Sequence, residues 1–408
     1  METNYVSNAP VSAYRPKQVL LLGLGGVGGR IVNAIMSKVP AEFRPYTQAV
    51  AIDTDIGEMK LLKNIPLENQ ILLGANTTVG KYMRENPDVG DWMVKGQQLD
   101  LIRNRNTKNG AKQIRMVSRI ALRATNSQGH LGKRIENAIN KLNAVDGKSE
   151  GSGLLVLVVC SIAGGTGAGT VIQVPIYLEE AIKNAYDSDN VQFECAMLMP
   201  NAFSTTLSTE NFKSGKVNGY AVLRELMSLN TGRMRRFEYF EPHEVDTADE
   251  RCAPYGRVML FDSKNGKGES ITGAVDTVHA PLMADALIEY LFGPANGKIT
   301  SALDNTLKRV YDTNGAGIFG AVGKADLLYP RVLYKQFCVA NWINATLSDT
   351  WLYPEKEAAD NYREVVRTAR EKGQSKPAPE SKYVYYNNAV MRKNSTFFNA
   401  IKRQLITT

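Results

Sequence analysis

Apolar and polar positions alternate along this chain in two different rhythms. Short runs of Leu, Val, Ile and Ala end in Gly, Asp, Pro or Ser, which is the pattern of buried strands in a parallel sheet. The predicted strands are KQVLLLGL (17–24), TQAVAIDTD (47–55), QILLG (70–74), GLLVLVVCSIAGG (153–165), VQFECAMLMP (191–200) and RVMLFDS (257–263).

Stretches with apolar residues three or four positions apart follow most of these runs and predict helices. They are IVNAIMSKV (31–39), LGKRIENAINKLNAV (131–145), VIQVPIYLEEAIKNAY (171–186), VNGYAVLRELMSL (217–229) and APLMADALIEYLF (280–292). The polar segment 98–122 predicts a loop that leads into a further helix. Strands that alternate with helices indicate an α/β fold with a doubly wound, mainly parallel sheet, which binds ligands at the carboxyl ends of its strands.

The pattern starts again after Gly315, where GAGIFGAVGKADLLYP predicts a strand and VLYKQFCVANWINATL predicts a helix. We therefore expect three parts in this chain. They are an N-terminal arm (1–16), a large domain (17–312) and a second, smaller α+β domain (313–408).

Composition places the chain among globular proteins. It has 408 residues, 43% of them hydrophobic and 22% charged, so we expect a sizeable core. No apolar run reaches the roughly 18 residues that a membrane span needs, and the polar N-terminal residues do not resemble a secretory signal. Four widely spaced cysteines without a CxxC pair favour a reduced, cytoplasmic protein. Three histidines without ligand spacing give no reason to expect a metal site built from side chains.

The net charge of +8 is unevenly distributed. Residues 355–408 contain eleven Lys or Arg and six Asp or Glu, and the two signs alternate. This segment lacks the interleaved aromatic and glycine residues of RNA-binding modules. The pattern favours a solvated helical face, and an acidic protein or a polyanion is an alternative partner for this basic end.

The first glycine-rich loop, GLGGVG (23–28), lies between a predicted strand and a predicted helix. Its spacing fits GxGxxG, in which glycines let the backbone approach a pyrophosphate at the start of a helix. Asp53 ends the next strand, where a dinucleotide-binding fold places its ribose-binding acid. The motif is compatible with an NAD(P)-dependent enzyme, with a ThiF-like enzyme that adenylates carboxylates, and with other nucleotide-binding proteins. The alternative is a tight turn that binds no ligand.

The second loop, AGGTGAG (163–169), discriminates better between these functions. It lacks the Lys-Ser/Thr pair of a P-loop, yet it offers an anion several backbone N–H groups and the hydroxyl of Thr166. A dehydrogenase has no evident use for a second phosphate site at this position. A nucleoside triphosphate does, because separate loops can hold its proximal and distal phosphates. The alternative is a glycine turn that packs tightly against a helix.

The order and spacing of these motifs resemble the tubulin/FtsZ superfamily. AGGTGAG fits the tubulin signature, GLGGVGGRIVN is similar to the glycine-rich opening of FtsZ, and AIDTD resembles its second strand and loop. The resemblance runs from about Lys17 to Asp349 and is closer to divergent bacterial tubulin-like proteins than to tubulin or FtsZ. It implies a cytoplasmic GTPase that binds GTP or GDP with Mg²⁺ and whose copies assemble head to tail into filaments.

The resemblance also implies which residues bind the nucleotide. They are Gly25, Gly26, Val27 and Arg30 in the first loop, Ala163, Gly164, Gly165, Thr166 and Gly167 in the signature loop, and Asn109, Gly110 and Ala111 in a third loop, NTKNGAKQIR (106–115). Arg30 replaces an asparagine of FtsZ and could contact a phosphate, as could Lys112 and Arg115. Asp53 and Asp55 could orient Mg²⁺ through water, since phosphates and water supply most of its ligands; otherwise they only end the strand.

Guanine recognition is implied for Asn218 and for Asp276, which aligns with the start of the FtsZ core helix. A carboxylate can accept hydrogen bonds from guanine N1–H and the exocyclic amine, which adenine does not offer in that arrangement. Hydrolysis in the superfamily is completed by an acidic loop of the next subunit. The corresponding stretch, FGPANGKITSALDNTLKRV (292–310), contains one acid, Asp304, as the catalytic candidate. Because the usual motif is not reproduced, a non-hydrolysing nucleotide-binding scaffold is the alternative.

Overall fold

A computed structural model describes residues 18–108, 110–145, 153–186, 190–230, 254–293, 319–322, 331–345, 364 and 367–374. The chain divides into two compact units, residues 1–324 and residues 325–408. The first unit contains the sheet and both glycine-rich loops.

Seven strands form the sheet of the first unit. They are β1 (Gln18–Leu24), β2 (Thr47–Asp53), β3 (Gln70–Leu72), β4 (Leu154–Ser161), β5 (Val191–Leu198), β6 (Arg257–Phe261) and β7 (Phe319–Ala321). They lie in the order β3-β2-β1-β4-β5-β6-β7, and every neighbouring pair in this order is parallel. The strand order reverses between β1 and β4, which leaves a crevice at their carboxyl ends.

Helices connect the strands and cover both faces of the sheet. They are α1 (Gly25–Lys38), α2 (Ile56–Met59), α3 (Val79–Glu85), α4 (Val89–Trp92), α5 (Gln97–Asp100), α6 (Arg115–Asn126), α7 (His130–Asn143), α8 (Thr166–Thr170), α9 (Gln173–Tyr186), α10 (Thr209–Asn230) and α11 (Ala280–Phe292), with α12 (Arg331–Ala345) in the second unit. One π-helical turn, Val275–His279, leads directly into α11. The predicted doubly wound, parallel α/β fold is confirmed.

Strand β4 holds the two layers of helices together. Its even-numbered residues from Leu154 to Cys160 belong to a core shared with α7, α9 and α10. Its odd-numbered residues from Leu155 to Val159 belong to a second core shared with α1 and α11. Burial on both faces explains why this strand reads as a continuous apolar run. Each buried Val or Leu contributes roughly 1.5–3 kcal/mol, so β4 is a central anchor of the fold.

Three helix boundaries differ from the predicted ones. Helix α1 begins at Gly25, inside the glycine-rich loop. Helix α10 begins at Thr209, before the predicted start at Val217. Its first turns are polar and show no apolar period, so the sequence pattern does not reveal them. The helix predicted over 171–186 begins at Gln173, after the short helix α8 and a turn.

The strand predicted to open the second domain belongs to the first unit. Its residues Phe319–Ala321 pair in parallel with β6, so the first unit extends to residue 324 rather than to the predicted boundary at 312. The helix predicted to follow it is present as α12, within the second unit. Among the described residues, no helix is both long and apolar enough to cross a membrane.

Candidate functional site

The two glycine-rich loops are in contact because they follow adjacent strands. Leu24 at the end of β1 pairs with Cys160 near the end of β4. Gly25 has a φ of +72°, and a Cβ on it would lie 3.1 Å from Gly167 N and 3.3 Å from Thr166 Cβ. A left-handed backbone at so close an approach favours glycine. The loops form one surface at the carboxyl edge of the sheet.

An open cavity of about 150 Å³ lies between the two loops. Its lining includes residues 25–27 of the first loop and 163–167 of the signature loop, all predicted to bind nucleotide. Small-molecule pockets usually measure roughly 300–1,000 Å³. The described cavity therefore suits phosphate groups better than a whole nucleotide.

The first turn of α1 faces this cavity with backbone N–H groups. Leu24, which precedes the helix, makes no capping hydrogen bond through its side chain, and the first turn has no acidic residue. The first N–H groups of a helix have no partner within it and carry partial positive charge. Gly164 borders the same cavity, with open space where its Cβ would lie. The arrangement can bind an anion.

Asp53, the last residue of β2, is buried and supports the signature loop. Its Oδ1 accepts hydrogen bonds from Thr54 N at 2.6 Å and from Thr166 Oγ1 at 3.0 Å. The hydroxyl oxygens of Thr54 and Thr166 are 2.8 Å apart, and Thr54 Oγ1 accepts a hydrogen bond from Ala111 N at 3.0 Å. One network thus joins β2, the signature loop and the third loop.

The acceptors in this network determine where its protons lie. Thr166 has one hydroxyl proton and donates it to Asp53, so the proton between the two threonines comes from Thr54. While Asp53 is ionised, Thr166 has no hydroxyl proton left for an anion. The anion contacts of this loop then come from backbone N–H groups, and the Thr166 hydroxyl holds the loop in place.

Burial raises the pKa of Asp53 from 3.8 to about 6, although hydrogen bonds from Thr166 and Thr54 act in the opposite direction. The nearby Glu58 carboxylate raises this pKa further. Asp53 Oδ2 is buried and has no hydrogen-bond partner among the residues that the structure describes. By contrast, Asp55 is exposed, and its Oδ1 accepts a hydrogen bond from Gly57 N at the start of α2. The two acids predicted near the magnesium ion therefore lie in different environments.

The third loop packs against the signature loop in a strained conformation. Lys112 and Gln113 have φ values of 43° and 63°, and Ile114 N donates to Ala111 O at 2.9 Å to close the turn. The left-handed conformation costs such residues roughly 1–2 kcal/mol each. A Cβ on Gly165 would lie 2.8 Å from Ala111 Cβ. The close packing leaves no room for a side chain at that glycine.

Asn218 on α10 contacts both of these loops. It is buried, and its Nδ2 donates to Gln113 O at 2.9 Å, to Gly164 O at 3.2 Å and to Ala163 O at 3.3 Å. A Cβ on Gly215, one turn earlier, would lie 3.3 Å from Ala163 Cβ. Helix α10 therefore lies directly against the loop backbone.

Arg30 and Asp276, predicted for phosphate and guanine contacts, form an ion pair with each other. Arg30 Nε lies 3.1 Å from Asp276 Oδ1, and Arg30 Nη1 lies 2.9 Å from Glu58 Oε2. The Asp276 side chain is 56% exposed. Neither residue is among those that line the described cavity.

Arg115, at the start of α6, is held by protein groups. Its Nε donates to Ala168 O at 3.0 Å, and its guanidinium pairs with both carboxylate oxygens of Glu225 on α10. Ser118, one turn further along α6, donates to Gly165 O at 2.8 Å. Helices α6 and α10 therefore both support the signature loop.

The sequence matches the model of the family described as tubulin-like over residues 20–348. This match covers more than half of the chain and includes both glycine-rich loops. The chain belongs to the tubulin-like family.

Individual relatives of this tubulin-like chain are distant. The tubulin-like protein CetZ of Pyrococcus abyssi is 30% identical over 97 residues, which are 24% of this chain and 25% of that protein. CetZ2 from Haloferax volcanii, a GTPγS-bound protofilament, shares 15% identity, with 71% of this chain and 63% of that chain covered and a TM-score of 0.39. CetZ from Methanosaeta thermophila shares 15% identity over 91% of this chain and 99% of that chain, with a TM-score of 0.39. The match thus spans a quarter of the curated relative and under two thirds of CetZ2.

Sequence reasoning missed several residues at this tubulin-like site. Ser161, Gln113, Phe203 and Leu207 line the cavity, and Thr54 links two loops. Ser161 ends the apolar run of β4 just before the signature loop, which is a usable signal. Thr54 lies within AIDTD and Gln113 within the third loop, although neither was predicted as a site residue, and no motif marks Phe203 or Leu207.

Two predicted site residues, Asn109 and Asp304, lie outside the described residues. The N-terminal arm and most of the basic C-terminal end lie outside them as well. The catalytic role of Asp304 and the ligand contacts of the other site residues stay predictions.

Proposed function

We propose that this tubulin-like protein binds GTP between its two glycine-rich loops and hydrolyses it when copies assemble head to tail. One observation carries the proposal: both loops line a single open cavity at the start of α1. Helix N-termini and consecutive backbone N–H groups bind phosphates. Membership of the tubulin-like family supports GTP as the nucleotide.

In this proposal, the first turn of α1 and the signature loop hold the phosphates through backbone N–H groups. The third loop faces the terminal phosphate at Gly110, while the N–H of Ala111 stays bonded to Thr54. Asp55 is exposed on the same side, and its Oδ2 lies 3.8 Å from the position that a Cβ of Gly110 would take. Mg²⁺ would be held mainly by phosphate oxygens and water, with Asp55 as the carboxylate that orients this water.

Guanine is proposed to contact Asp276. Its carboxylate is half exposed at the start of the helical segment that continues as α11, and Arg30 orients one of its oxygens. The free oxygen can accept a hydrogen bond from guanine N1–H or the exocyclic amine. Arg30 then acts beside the base and not on a phosphate.

The burial of Asp53 argues against an NAD(P)-dependent enzyme. In dinucleotide-binding folds, the acid at the end of the second strand hydrogen-bonds a ribose hydroxyl. Here this carboxylate is only 4% exposed and is bonded to Thr54 and Thr166. A ribose could reach it only if the network opened.

Hydrolysis is proposed to require a neighbouring copy. An interface between unlike surfaces that does not close on itself generates a filament. Asp304 of one subunit would then orient the attacking water at the nucleotide of the next, while the phosphates and the metal carry most of the charge. Without such a contribution, the protein would bind nucleotide and not hydrolyse it.

The test begins with the nucleotide that co-purifies with the protein. We expect guanine nucleotide, a phosphate release rate per molecule that rises with protein concentration, and sedimentation that requires GTP. The Asp304→Asn variant should bind GTP and lose phosphate release, whereas Asp100→Asn, at an exposed position on α5, should behave as the wild type. Retention of ATP or NAD(H) but not GTP would contradict the proposal, and a rate strictly proportional to concentration would exclude assembly-dependent hydrolysis.

A further inference from the structure

Within the described residues, the side-chain nitrogen of Asn218 donates to the backbone of two loops. The three acceptors of Nδ2 are the main-chain carbonyls of Gln113, Gly164 and Ala163, at 2.9, 3.2 and 3.3 Å. An amide nitrogen carries two protons, so the shortest contact takes one and the two signature-loop carbonyls share the other. A residue that reads a base through its amide nitrogen needs this nitrogen to face the ligand, and Asn218 Nδ2 faces the loop carbonyls instead.

Small residues on the surface of α10 around Asn218 allow neighbouring segments to pack closely against the helix. A Cβ on Gly219 would lie 2.6 Å from Pro200 Cγ, and one on Gly215 would lie 3.3 Å from Ala163 Cβ. Only small residues on this face bring a short side chain such as Asn within reach of the loops. Glu225, about two turns further along α10, pairs with Arg115, whose Nε donates to Ala168 O in α8. Helix α10 thus supports the signature loop at two points.

The strained third loop depends on external support. Left-handed residues other than glycine persist only where the surrounding contacts determine their conformation. The turn formed by Ala111, Lys112, Gln113 and Ile114 is fixed at its start by Thr54, which accepts from Ala111 N. Near its end it is fixed by Asn218, which donates to Gln113 O.

We infer that Asn218 is a positioning residue that sets the spacing between the third loop and the signature loop, and through it the affinity for a terminal phosphate. The phosphate part rests on the proposed function. The mechanical part does not, because it follows from the hydrogen bonds of Asn218 alone. Asn218 therefore discriminates the number of phosphates and not the identity of the base.

The first experiment compares nucleotide affinities of the variants Asn218→Asp and Asn218→Ala. A carboxylate at position 218 would face three carbonyls, so Asn218→Asp should be the weaker binder. We expect GTP to bind about ten-fold more weakly and GDP about two-fold more weakly, with an unchanged ratio between GTP and ITP, which lacks the exocyclic amine. An altered GTP-to-ITP ratio, or equal losses for GTP and GDP, would overturn the inference.

The matched control is Asn211→Asp. It makes the same chemical change on the same helix, at an exposed position whose backbone N–H bonds Ser208. It should bind all three nucleotides as the wild type does. If Asn218→Asp does not fold, Asn218→Ser retains one donor and should lie between the wild type and Asn218→Ala.

The second experiment measures amide hydrogen exchange in the nucleotide-free protein. Asn218→Ala should accelerate exchange in segments 106–120 and 162–172 together, whereas Asn211→Asp should change neither. Unchanged exchange in both segments would overturn the inference whatever ligand the protein binds. If the wild type binds no guanine nucleotide, the proposed function fails, and faster exchange in Asn218→Ala still supports the positioning role.

Discussion

The two glycine-rich loops look alike in sequence but are supported in different ways. In the first loop, glycines allow main-chain atoms of neighbouring segments to come close. A Cβ on Gly28 would lie 2.2 Å from Val159 O, and one on Gly23 would lie 2.9 Å from Gly28 O. In the signature loop, Gly167 also faces a main-chain atom, with its Cβ position 2.5 Å from Ser161 O, but side chains from other elements add hydrogen bonds that, among the described residues, the first loop does not have. Asp53 bonds Thr166, and Ser118 bonds the carbonyl of Gly165.

This difference predicts which substitutions mainly lower stability and which mainly weaken nucleotide binding. The first loop takes its shape from direct contact between α1 and the backbone of β4, which cannot move without disturbing the core. The signature loop depends on hydrogen bonds that single side chains supply. Substitutions of the packed glycines in the first loop should therefore destabilise the protein strongly, whereas removal of single side chains that support the signature loop should change binding at a smaller cost in stability.

The largest effect is expected for Gly28→Ala. Its methyl group would meet Val159 O at 2.2 Å, so α1 would be forced away from β4 and the free energy of unfolding should fall by about 3 kcal/mol or slightly more. Urea denaturation followed by circular dichroism measures this. Gly132→Ala in α7 is the control, since the nearest atom to its Cβ would be 3.8 Å away and helix propensity should add roughly 0.5–1 kcal/mol. Equal stability of the two variants would contradict the packing argument.

The second effect is the dependence of stability on pH through Asp53. Its pKa of about 6 lies above the ordinary 3.8, so the folded state holds this proton more tightly than the unfolded chain. The contribution of Asp53 to stability therefore falls as pH rises from about 4 to about 6 and stays level above that.

Asp53→Asn removes this charge and keeps the Oδ1 acceptor, so it should gain up to about 3 kcal/mol relative to the wild type between pH 4 and pH 7. Urea midpoints across this pH range measure the gain. Asp55→Asn is the matched control, because it makes the same chemical change at an exposed neighbouring acid outside this network. A constant difference between wild type and Asp53→Asn at every pH would mean that burial does not perturb this carboxyl.

A smaller effect is expected for Thr54→Val. The change keeps the shape of the residue but removes the hydroxyl that links Ala111 N to Thr166. Leaving a buried N–H without its acceptor should cost about 1–2 kcal/mol and should weaken nucleotide binding. Thr47→Val is the control, because it removes a bond to Phe43 O at the opposite end of β2. Binding that falls equally in both variants would point to a loss of fold and not of the loop connection.

The smallest effect on stability is expected for Gly164→Ala. No atom lies within 4 Å of the position of its Cβ, which borders the cavity, so the free energy of unfolding should change by less than about 0.5 kcal/mol. The methyl group would occupy space proposed for phosphate, so calorimetric titration with GTP should show weaker binding. Full affinity would mean that the phosphates lie elsewhere.

The sequence alone predicts those helices and strands whose hydrophobic pattern is strong over a short stretch. The β4 strand is a continuous apolar run because both its faces are buried, and α11 was predicted with its observed ends because its apolar residues recur at helical spacing. The start of α10 was missed because TENFKSGK carries no such period. Its helical form depends on tertiary packing, which local sequence does not encode.

The glycine loops could likewise be located, but their supports could not. Asn218 and Gln113 are 105 positions apart in the sequence. The left-handed conformation of Lys112 is not predicted by the residue's backbone propensity. One signal was available: Arg115, Arg119 and Arg123 recur every four residues along α6, which places them on one face. In the structure all three have specific partners, including the Trp92 ring beneath Arg119.

The short strands at both edges of the sheet have a consequence for self-association. Within the described residues, β3 and β7 are each three residues long, so an incoming strand would find few unpaired backbone groups on either side. Such edges protect a protein from amyloid-like growth. An ordered polymer joined through the described residues of the first unit would therefore use helices and loops, where specific side chains can control how fast subunits add and leave.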